Sequence, residues 1–163
     1  MTKITPFLWF NNQAEEAAMY YVSIFKNSKI INISRYGKEG FEIHKIPEGT
    51  VMTVDFDLNG QPFTALNGGP VFQFNEAISF QVYCETQEEN DYYWEKLTAG
   101  GDEKAQQCGW LKDQFGVSWQ IIPEELGKYI NGPDKTKSQR AMKAMLQMKQ
   151  INIYKIKEAY DGR

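Results

Sequence analysis

Histidine and cysteine are scarce in this chain of 163 residues, which contains one histidine and two cysteines. Catalytic Ser/His/Asp and Cys/His arrangements need a histidine placed by the fold, and His44 lies in a loop-like stretch between two glycines. Cys84 and Cys108 have neither the spacing of a zinc site nor that of a redox motif. We therefore expect two small buried cysteines in a reduced, cytoplasmic protein.

Clustered positive charge and long apolar runs are also missing. The chain has 21 acidic and 18 basic residues, whereas a nucleic-acid binder needs clustered Lys and Arg to neutralise phosphates. The apolar run from Ile4 to Phe10 is too short for a signal peptide or a membrane span, and no other run approaches spanning length. The sequence predicts neither a nucleic-acid nor a membrane partner.

Aromatic residues, in contrast, make up 14% of the chain, and such an excess belongs in cores, interfaces or a ligand cavity. Many of them take part in an internal repeat with a constant offset of seventy-two residues. In each copy, an alternation typical of a strand leads into an amphipathic segment typical of a helix. The matched residues are Pro6, Leu8, Phe10, Glu16, Tyr20, Tyr21 and Phe25 in the first copy, and Ile78, Phe80, Val82, Glu88, Tyr92, Tyr93 and Leu97 in the second. The repeat predicts a duplicated module within one domain over 1–163.

The first module covers residues 4–69. Asn59-Gly60 is a strong hairpin signal, and the stretch 37–49, with its glycines and proline, is predicted to be a loop. The predicted elements are a strand over Ile4–Phe10, a helix over Gln13–Phe25, and strands over Lys29–Tyr36, Val51–Leu58 and Pro62–Asn67.

A linker over 70–76 leads to the second module, which covers 77–123. Thr86 followed by Glu89 is a capping box, which predicts where the helix of this module begins. The predicted elements are a strand over Ile78–Glu85, a helix over Thr86–Ala99, and strands near Glu103–Gln107, Cys108–Lys112 and Val117–Ile122.

The remaining stretch, 134–160, is predicted to be a helical extension. An apolar stripe at helical spacing runs along it, formed by Ala141, Met142, Ala144, Met145 and Met148. Such a stripe packs on its own domain or on a symmetry mate, or it binds a partner or ligand, and we favour packing.

Alternation along the strands assigns residues to faces. Leu8 and Phe10 are predicted to face the helix, whereas Thr5, Phe7 and Trp9 occupy the opposite face, with Ala77, Ser79, Gln81 and Tyr83 in the second module. A face that mixes large aromatic residues with Thr, Ser and Gln suits the wall of a partly polar cavity. Asp55 falls on the same side of its strand and is either a cavity carboxylate or, as we favour, a solvent-exposed one. The alternation puts Trp119 on the helix side, in the core.

The duplicated strand-helix-three-strand module resembles the vicinal oxygen chelate superfamily, which includes glyoxalase I, extradiol dioxygenases and the bleomycin and fosfomycin resistance proteins. Several runs are similar to its PhnB-like group, which also carries the label of a 3-demethylubiquinone-9 3-methyltransferase domain. These runs are ITPFLWF, QAEEAAMYYVSIF, DLNGQPF, ALNGGPVFQFNEAISF, YYWEKL, CGWLKDQFGVSWQIIP and QRAMKAMLQMKQINI. The resemblance implies an α+β fold of two tandem βαβββ modules, the glyoxalase/bleomycin resistance fold. Its curved mixed sheets enclose a cavity, often completed in a homodimer.

Superfamily enzymes bind a metal at four matched positions, two on first strands and two on last strands. The resemblance carries these positions onto Thr5, Ala77, Asn67 and Gln120. Ala77 has no donor atom, and the other three are weak neutral ligands for zinc, iron or nickel. His44 does not replace them, because one imidazole cannot make a transition-metal centre. We therefore expect no metal and no other cofactor.

The first functional hypothesis is a protein that binds a small organic ligand in the cavity without a transition metal, as antibiotic-sequestering members of the superfamily do. Aromatic side chains supply apolar area and amides fix orientation. The expected lining residues are Phe7, Trp9, Asn67, Ser79, Gln81, Tyr83, Trp110, Ser118 and Gln120.

Two alternatives stay open from the sequence. The first is a metal-dependent lyase, isomerase or dioxygenase, for which Asp55 is a weak candidate general base. The second is a methyltransferase, as the family label suggests. That activity usually needs a glycine-rich turn between a strand and a helix, and neither Gly68-Gly69 nor Gly100-Gly101 has this context.

Overall fold

The computed structural model describes residues 4–163, and the chain divides into two compact units. The first unit ends at Phe74 and the second begins at Asn75, so the boundary falls inside the predicted linker. Within residues 4–163, no helix is long and apolar enough to cross a membrane.

The first unit contains one mixed four-stranded sheet. Its four strands are β1 (Phe7–Phe10), β2 (Lys29–Arg35), β3 (Val51–Leu58) and β4 (Gln61–Asn67). They follow the order β1-β4-β3-β2, with β1 parallel to β4 and the other pairs antiparallel. Asn59 and Gly60 adopt φ values of 50° and 90°, the left-handed conformation that a two-residue hairpin turn requires, so the predicted hairpin is confirmed. The helices of this unit are α1 (Ala14–Ile24) and α2 (Phe41–His44).

The core of the first unit lies between α1 and one face of this sheet. Ala17, Ala18 and Tyr21 are spaced to share one face of α1, and all three are buried. The Phe56 ring stacks on Phe63 at a centroid distance of 5.4 Å and lies 6.3 Å from the Tyr21 ring. Burial of each such side chain contributes roughly 1.5–3 kcal/mol, so this face of the sheet is fixed against the helix.

The predicted loop over 37–49 contains the short helix α2. Gly40 and Lys45 flank this helix, both with left-handed φ values, of 82° and 59°. His44 Nδ1 accepts a hydrogen bond of 3.0 Å from the Ile46 backbone N–H, and its ring centroid lies 4.7 Å from that of Tyr36. His44 therefore holds its own loop together, and its side chain is half-buried rather than fully exposed.

The second unit contains a sheet of three strands, β5 (Phe80–Cys84), β6 (Trp110–Lys112) and β7 (Ser118–Pro123). Their order is β5-β7-β6, with β5 parallel to β7 and β6 antiparallel to β7. Trp119 is buried on the helix side, as predicted, and donates to Asp113 Oδ2 at 2.8 Å. The helices of this unit are α3 (Gln87–Thr98), α4 (Leu126–Ile130), α5 (Lys135–Met145) and α6 (Ile153–Asp161).

One predicted strand is absent from the second unit. The stretch Glu103–Ala105 is a 3-10 turn, because Asp102 Oδ1 accepts a hydrogen bond of 2.9 Å from Lys104 N and closes it. Gln107 pairs with Trp110 only in an isolated bridge. The chain is α+β with two sheets, as predicted, but the second module has the order βαββ instead of βαβββ. The enclosed cavity stays a prediction.

The C-terminal extension packs onto the second unit. Ala141, Ile151 and Ile156 are buried with Leu126 in one apolar cluster, against which Ala144, Met145 and Met148 pack. The packing interpretation of the apolar stripe is therefore confirmed for these residues. α4 adds a helix that the sequence patterns did not indicate.

Gln87, a buried residue at the start of α3, connects the C-terminal extension to this helix through hydrogen bonds. Its Nε2 donates to Ile151 O at 3.2 Å and its Oε1 accepts from Ile153 N at 2.8 Å. Cys84, in the same unit, is fully buried, and burial raises the pKa of its thiol to about 12. A buried and protonated thiol is an inert core residue, as the sequence predicts for Cys84, whereas Cys108 is only half-buried.

Candidate functional site

Each unit has its own candidate ligand face, which is the side of its sheet that points away from α1 in the first unit and from α3 in the second. On the first face, the strand register aligns side chains in rows across β1, β4 and β3. Phe7 pairs with Thr64 and Thr64 with Asp55, whereas Trp9 pairs with Leu66 and Leu66 with Thr53. We call the first of these rows, formed by Phe7, Thr64 and Asp55, the acceptor row.

The side chain of Trp9 is held from three sides. Its Nε1 donates to Gly69 O at 2.9 Å, and the Phe72 ring lies edge-on at a centroid distance of 5.0 Å. A Cβ atom added at Gly68 would lie 2.3 Å from Trp9 Cε2, so only glycine leaves room for the indole there. The sequence pattern placed Trp9 on this face, and the contacts explain why Gly68-Gly69 follows β4.

Asp55 is half-buried on the first face and not fully exposed. Thr64 Oγ1 donates to Asp55 Oδ1 at 2.7 Å, so the carboxylate already has a partner across the strand pair. In the adjacent row, Thr53 Oγ1 and Ser34 Oγ are 2.6 Å apart. The hydroxyl groups of this face are therefore satisfied within the sheet.

The structure places Asn67 on the opposite side of its strand from the predicted ligand face. Asn67 is 5% exposed; its Oδ1 accepts from Ala14 N at 2.8 Å and its Nδ2 donates to Val51 O at 3.1 Å. The amide thus joins the start of α1 to the sheet and has a structural role. Leu66, one residue earlier, occupies the ligand face, because neighbouring residues of a strand point to opposite sides.

The second face carries two rows across β5, β7 and β6. Gln81 pairs with Gln120 and Gln120 with Trp110. Ser118 pairs with Lys112, and Ser79 and Ser118 immediately precede the paired residues Phe80 and Trp119. We call the row of Ser79, Ser118 and Lys112 the donor row.

A directed chain of hydrogen bonds orders the polar side chains of the second face. Tyr83 OH donates to Gln81 Oε1 at 2.9 Å, and Gln81 Nε2 donates to Gln120 Oε1 at 3.3 Å. Gln120 Nε2 then donates to Ser79 Oγ at 2.8 Å. Because this bond uses Ser79 Oγ as an acceptor, the chain ends with a hydroxyl whose proton is directed onward.

The hydroxyl of Ser118 is the exception on this face. Ser118 is 2% exposed, and its Oγ has no hydrogen-bond partner anywhere in the part of the chain from Ile4 to Arg163. Its cross-strand neighbour Lys112 is a donor without a lone pair and forms an ion pair with Glu76. The hydrogen bond from Lys112 lowers the pKa of the Glu76 carboxyl.

The four metal positions implied by the resemblance do not fit a transition metal. Thr5 and Ala77 are exposed and lie ahead of β1 and β5, and Asn67 and Gln120 use both ends of their amides in the bonds described above. In residues 4–163, no three His, Cys, Asp or Glu side chains are grouped closely enough to hold a metal ion.

A site for the methyl donor S-adenosylmethionine would need a glycine-rich turn between a strand and a helix. The connections that lead into the long helices are Asn11-Asn12-Gln13 before α1 and Glu85-Thr86 before α3, and neither contains glycine. Gly37 and Gly40 lie between β2 and α2, which is a helix of only four residues. Gly68-Gly69 follows a strand, and Gly100-Gly101 follows the end of α3. Neither pair of glycines therefore forms the strand-to-helix turn that a methyl-donor site usually has.

The strand register puts eight of the nine expected lining residues on the sheet faces that alternation assigns them, and their role in lining a ligand site stays a prediction. These residues are Phe7, Trp9, Ser79, Gln81, Tyr83, Trp110, Ser118 and Gln120. Lys112 was not predicted, although it lies two residues after Trp110 and alternation along β6 therefore puts it on the same face. Thr64 was not predicted because the expected position of Asn67 on the ligand face of β4 would put Thr64, three residues earlier, on the helix side.

A family model described as 3-demethylubiquinone-9 3-methyltransferase matches residues 2–122. The PhnB protein from Bacillus cereus is 40% identical, with 75% of this chain and 99% of that chain covered and a TM-score of 0.63. A protein from Staphylococcus aureus is 34% identical over 76% of this chain and 98% of that chain, with a TM-score of 0.33. None of the curated proteins compared with the chain matches it.

Protein PA1353 from Pseudomonas aeruginosa has a TM-score of 0.53 at 18% identity, covering 76% of this chain and 98% of that chain, which is a likeness of fold alone. The predicted resemblance to the PhnB-like group is confirmed by the Bacillus cereus protein. The family match ends at residue 122, so the helices α4, α5 and α6 lie beyond it.

Proposed function

The chain belongs to the family described as 3-demethylubiquinone-9 3-methyltransferase, and we propose that it binds a small organic molecule on the polar, aromatic face of its second sheet without a catalytic transition metal. The observation that carries this proposal is the hydrogen-bond chain from Tyr83 through Gln81 and Gln120 to Ser79. A chain of this kind fixes the orientation of polar groups before a ligand arrives, which reduces the entropy cost of binding.

Exposed aromatic area on the face of the second sheet supports the same function. Tyr83 is 58% exposed and Trp110 is 36% exposed, and both lie next to the ordered amides in the strand register. Aromatic side chains present large apolar surfaces with few rotatable bonds, and polar groups beside them select the orientation of the ligand. We expect an organic ligand with an apolar ring or chain against Trp110 and a polar group near Gln120.

The chemistry of the donor atoms favours binding over the metal-dependent alternative. A lyase, isomerase or dioxygenase of the superfamily type needs a Lewis acid held by His and carboxylate ligands. Thr5, Ala77 and Gln120 offer none of these groups. Asp55, the candidate general base, already accepts a hydrogen bond from Thr64 through Oδ1, so one of its two carboxylate oxygens is engaged within the sheet.

Retention of small molecules by the full chain tests the proposal. One sample of the protein is dialysed against a metal chelator and a second against buffer alone. Both are incubated with a small-molecule extract of cells, desalted and denatured, and the released molecules are identified by mass spectrometry. Trp110→Ala and Gln120→Leu remove the proposed contacts. Tyr154→Ala is the matched control, because Tyr154 is an exposed aromatic residue on α6, away from the sheet faces.

We expect at least one molecule that wild type and Tyr154→Ala both retain. Each site variant should retain this molecule at a level lower by about tenfold or more, which corresponds to a loss of about 1.4 kcal/mol in binding free energy. Retention that disappears after chelation would favour the metal-dependent enzyme. Equal retention by all four proteins, or none by wild type, would contradict the proposal.

A further inference from the structure

The donor row crosses the second sheet at one level. Ser118 lies directly opposite Lys112 in the antiparallel pair, and Ser79 and Ser118 stand side by side because each precedes a residue of the parallel pair Phe80 and Trp119. Neighbouring strands are about 4.8 Å apart, so the three side chains span roughly 10 Å. A group of a few atoms can contact two members of this row at once.

Every member of the row offers a proton. Ser79 Oγ accepts from Gln120 and keeps its own proton to donate, Lys112 carries an ammonium group, and the Ser118 hydroxyl is buried with no partner in residues 4–163. Buried polar atoms in proteins nearly always have a partner, so the Ser118 hydroxyl has the capacity for a hydrogen bond that no other described residue fills. Neither end of the Gln120 amide is open to supply it.

The charge of the row defines the missing partner. Lys112 would repel a cation and, like the two hydroxyls, it bonds best to oxygen atoms that carry negative charge. Glu76, which pairs with Lys112, reaches it from the exposed segment before β5, with 60% of its side chain exposed. An incoming anion can therefore displace an exposed carboxylate without leaving a buried charge behind.

We propose that the donor row is an oxyanion subsite, which binds a carboxylate or phosphate group of the ligand through Ser118 and Lys112 while Trp110 contacts the apolar part. This inference deepens the proposed function and rests on it. The shared chemistry is an oxygen anion on a small organic molecule, and the two kinds of anion are separate arms of the test.

The test is a titration of the full chain, followed by nitrogen-proton NMR at the Trp110 indole. The probes are benzoate and phenyl phosphate, and benzyl alcohol is the neutral probe of similar shape. The site variants are Lys112→Met, Lys112→Arg and Ser118→Ala. Lys104→Met is the matched control, because Lys104 is an exposed lysine of the same unit in the turn Glu103–Ala105.

We expect at least one anion to bind about tenfold more tightly than benzyl alcohol, because a charge-assisted hydrogen bond exceeds a neutral one by about this factor. Lys112→Met and Ser118→Ala should each weaken that anion by about tenfold, Lys112→Arg by about threefold or less, and Lys104→Met not at all. Ser118→Ala cannot unfold the protein through a lost internal bond, since the hydroxyl makes none.

Two results would overturn the oxyanion subsite. One is equal affinity for benzyl alcohol and both anions, with Lys112→Met unchanged; the other is no binding of either anion. Neither result decides the proposed function, which stands or falls with the retention of cell molecules by wild type and the Trp110 and Gln120 variants. If wild type and Lys112→Met retain the same neutral molecule equally well, the proposed function is supported and the oxyanion subsite is contradicted.

Discussion

The two sheets carry opposite chemistry at corresponding positions. In the first sheet, Thr64 stands opposite Asp55 and donates a proton to it. In the second sheet, Ser118 stands opposite Lys112, in the same place relative to the strands, and has no acceptor. The duplication therefore preserved a hydroxyl on the last strand of each module, while the residue facing it determines whether that hydroxyl is satisfied inside the protein.

The link between helix and sheet is also made from opposite sides in the two units. In the first, the strand residue Asn67 reaches the helix at Ala14 N. In the second, the helix residue Asn90 is fully buried and donates to the strand at Ile121 O at 3.3 Å. Asn67 pairs with Phe10 and Ile121 with Val82, so the two strand positions correspond. Both units therefore contain a buried amide that joins helix and sheet. It belongs to the strand in the first unit and to the helix in the second.

The largest effect is expected where these buried amides are removed. Asn67→Leu loses the two hydrogen bonds that the buried amide makes to Ala14 N and Val51 O, so it should lower the free energy of unfolding by about 2–4 kcal/mol. Urea denaturation measures this, with Asn90→Leu as the counterpart in the second unit. Asn32→Leu is a control, because Asn32 is exposed on β2. An Asn67 variant as stable as wild type would contradict the structural role of this amide.

A smaller loss is expected at the glycine beneath Trp9. Gly68→Ala places a Cβ against the indole, which must move, and we expect a destabilisation of about 1–3 kcal/mol with an altered Trp9 indole resonance. Gly127→Ala is the control, because a Cβ added there meets nothing within 4 Å. The two sheets differ here, since Gln81, the repeat partner of Trp9, is held by side chains instead. An unchanged Trp9 resonance in Gly68→Ala would refute the close contact.

The smallest effect is expected for a substitution at Glu76, which should increase the affinity for anions instead of decreasing it. Glu76→Gln removes the negative partner of Lys112, so anionic probes should bind about two- to fivefold more tightly, as expected for the loss of one exposed ion pair. The measurement is the titration with benzoate or phenyl phosphate. Glu103→Gln, in an exposed turn of the same unit, should change nothing. Weaker anion binding by Glu76→Gln would mean that Glu76 does not compete with the ligand.

The face assignments could be predicted from the sequence because strand alternation is a local property. The strand Val51–Leu58 was predicted with the bounds observed, and Thr86 caps α3 as predicted, accepting from Glu89 N. The sequence analysis matched Asn67 with Gln120, whereas the strand register matches Asn67 with Ile121, one residue later. The offset of seventy-two residues that relates the first strands does not hold for the last strands. The second module lacks a strand, and a slip of one position moves a side chain to the other face.

The satisfaction of hydrogen bonds could not be predicted from residue types. Thr64 and Ser118 are both hydroxyl residues on alternating strands, and only the register shows that one faces a carboxylate and the other an ammonium group. The same holds for Gln87, whose bonds to Ile151 and Ile153 join segments that are far apart in sequence. Contacts of this kind depend on the tertiary fold, which local patterns do not define.

The most direct test of the contrast between the sheets is the free energy of unfolding of Ser118→Ala and Thr64→Val, measured by urea denaturation without ligand. Thr64→Val removes a hydrogen bond to a charged group and should cost about 1.5–3 kcal/mol. Ser118→Ala removes a buried hydroxyl that has no partner, so we expect the protein to be equally stable or more stable. A loss in Ser118→Ala as large as that in Thr64→Val would show that the Ser118 hydroxyl is satisfied within the protein, and would contradict its assignment to a ligand.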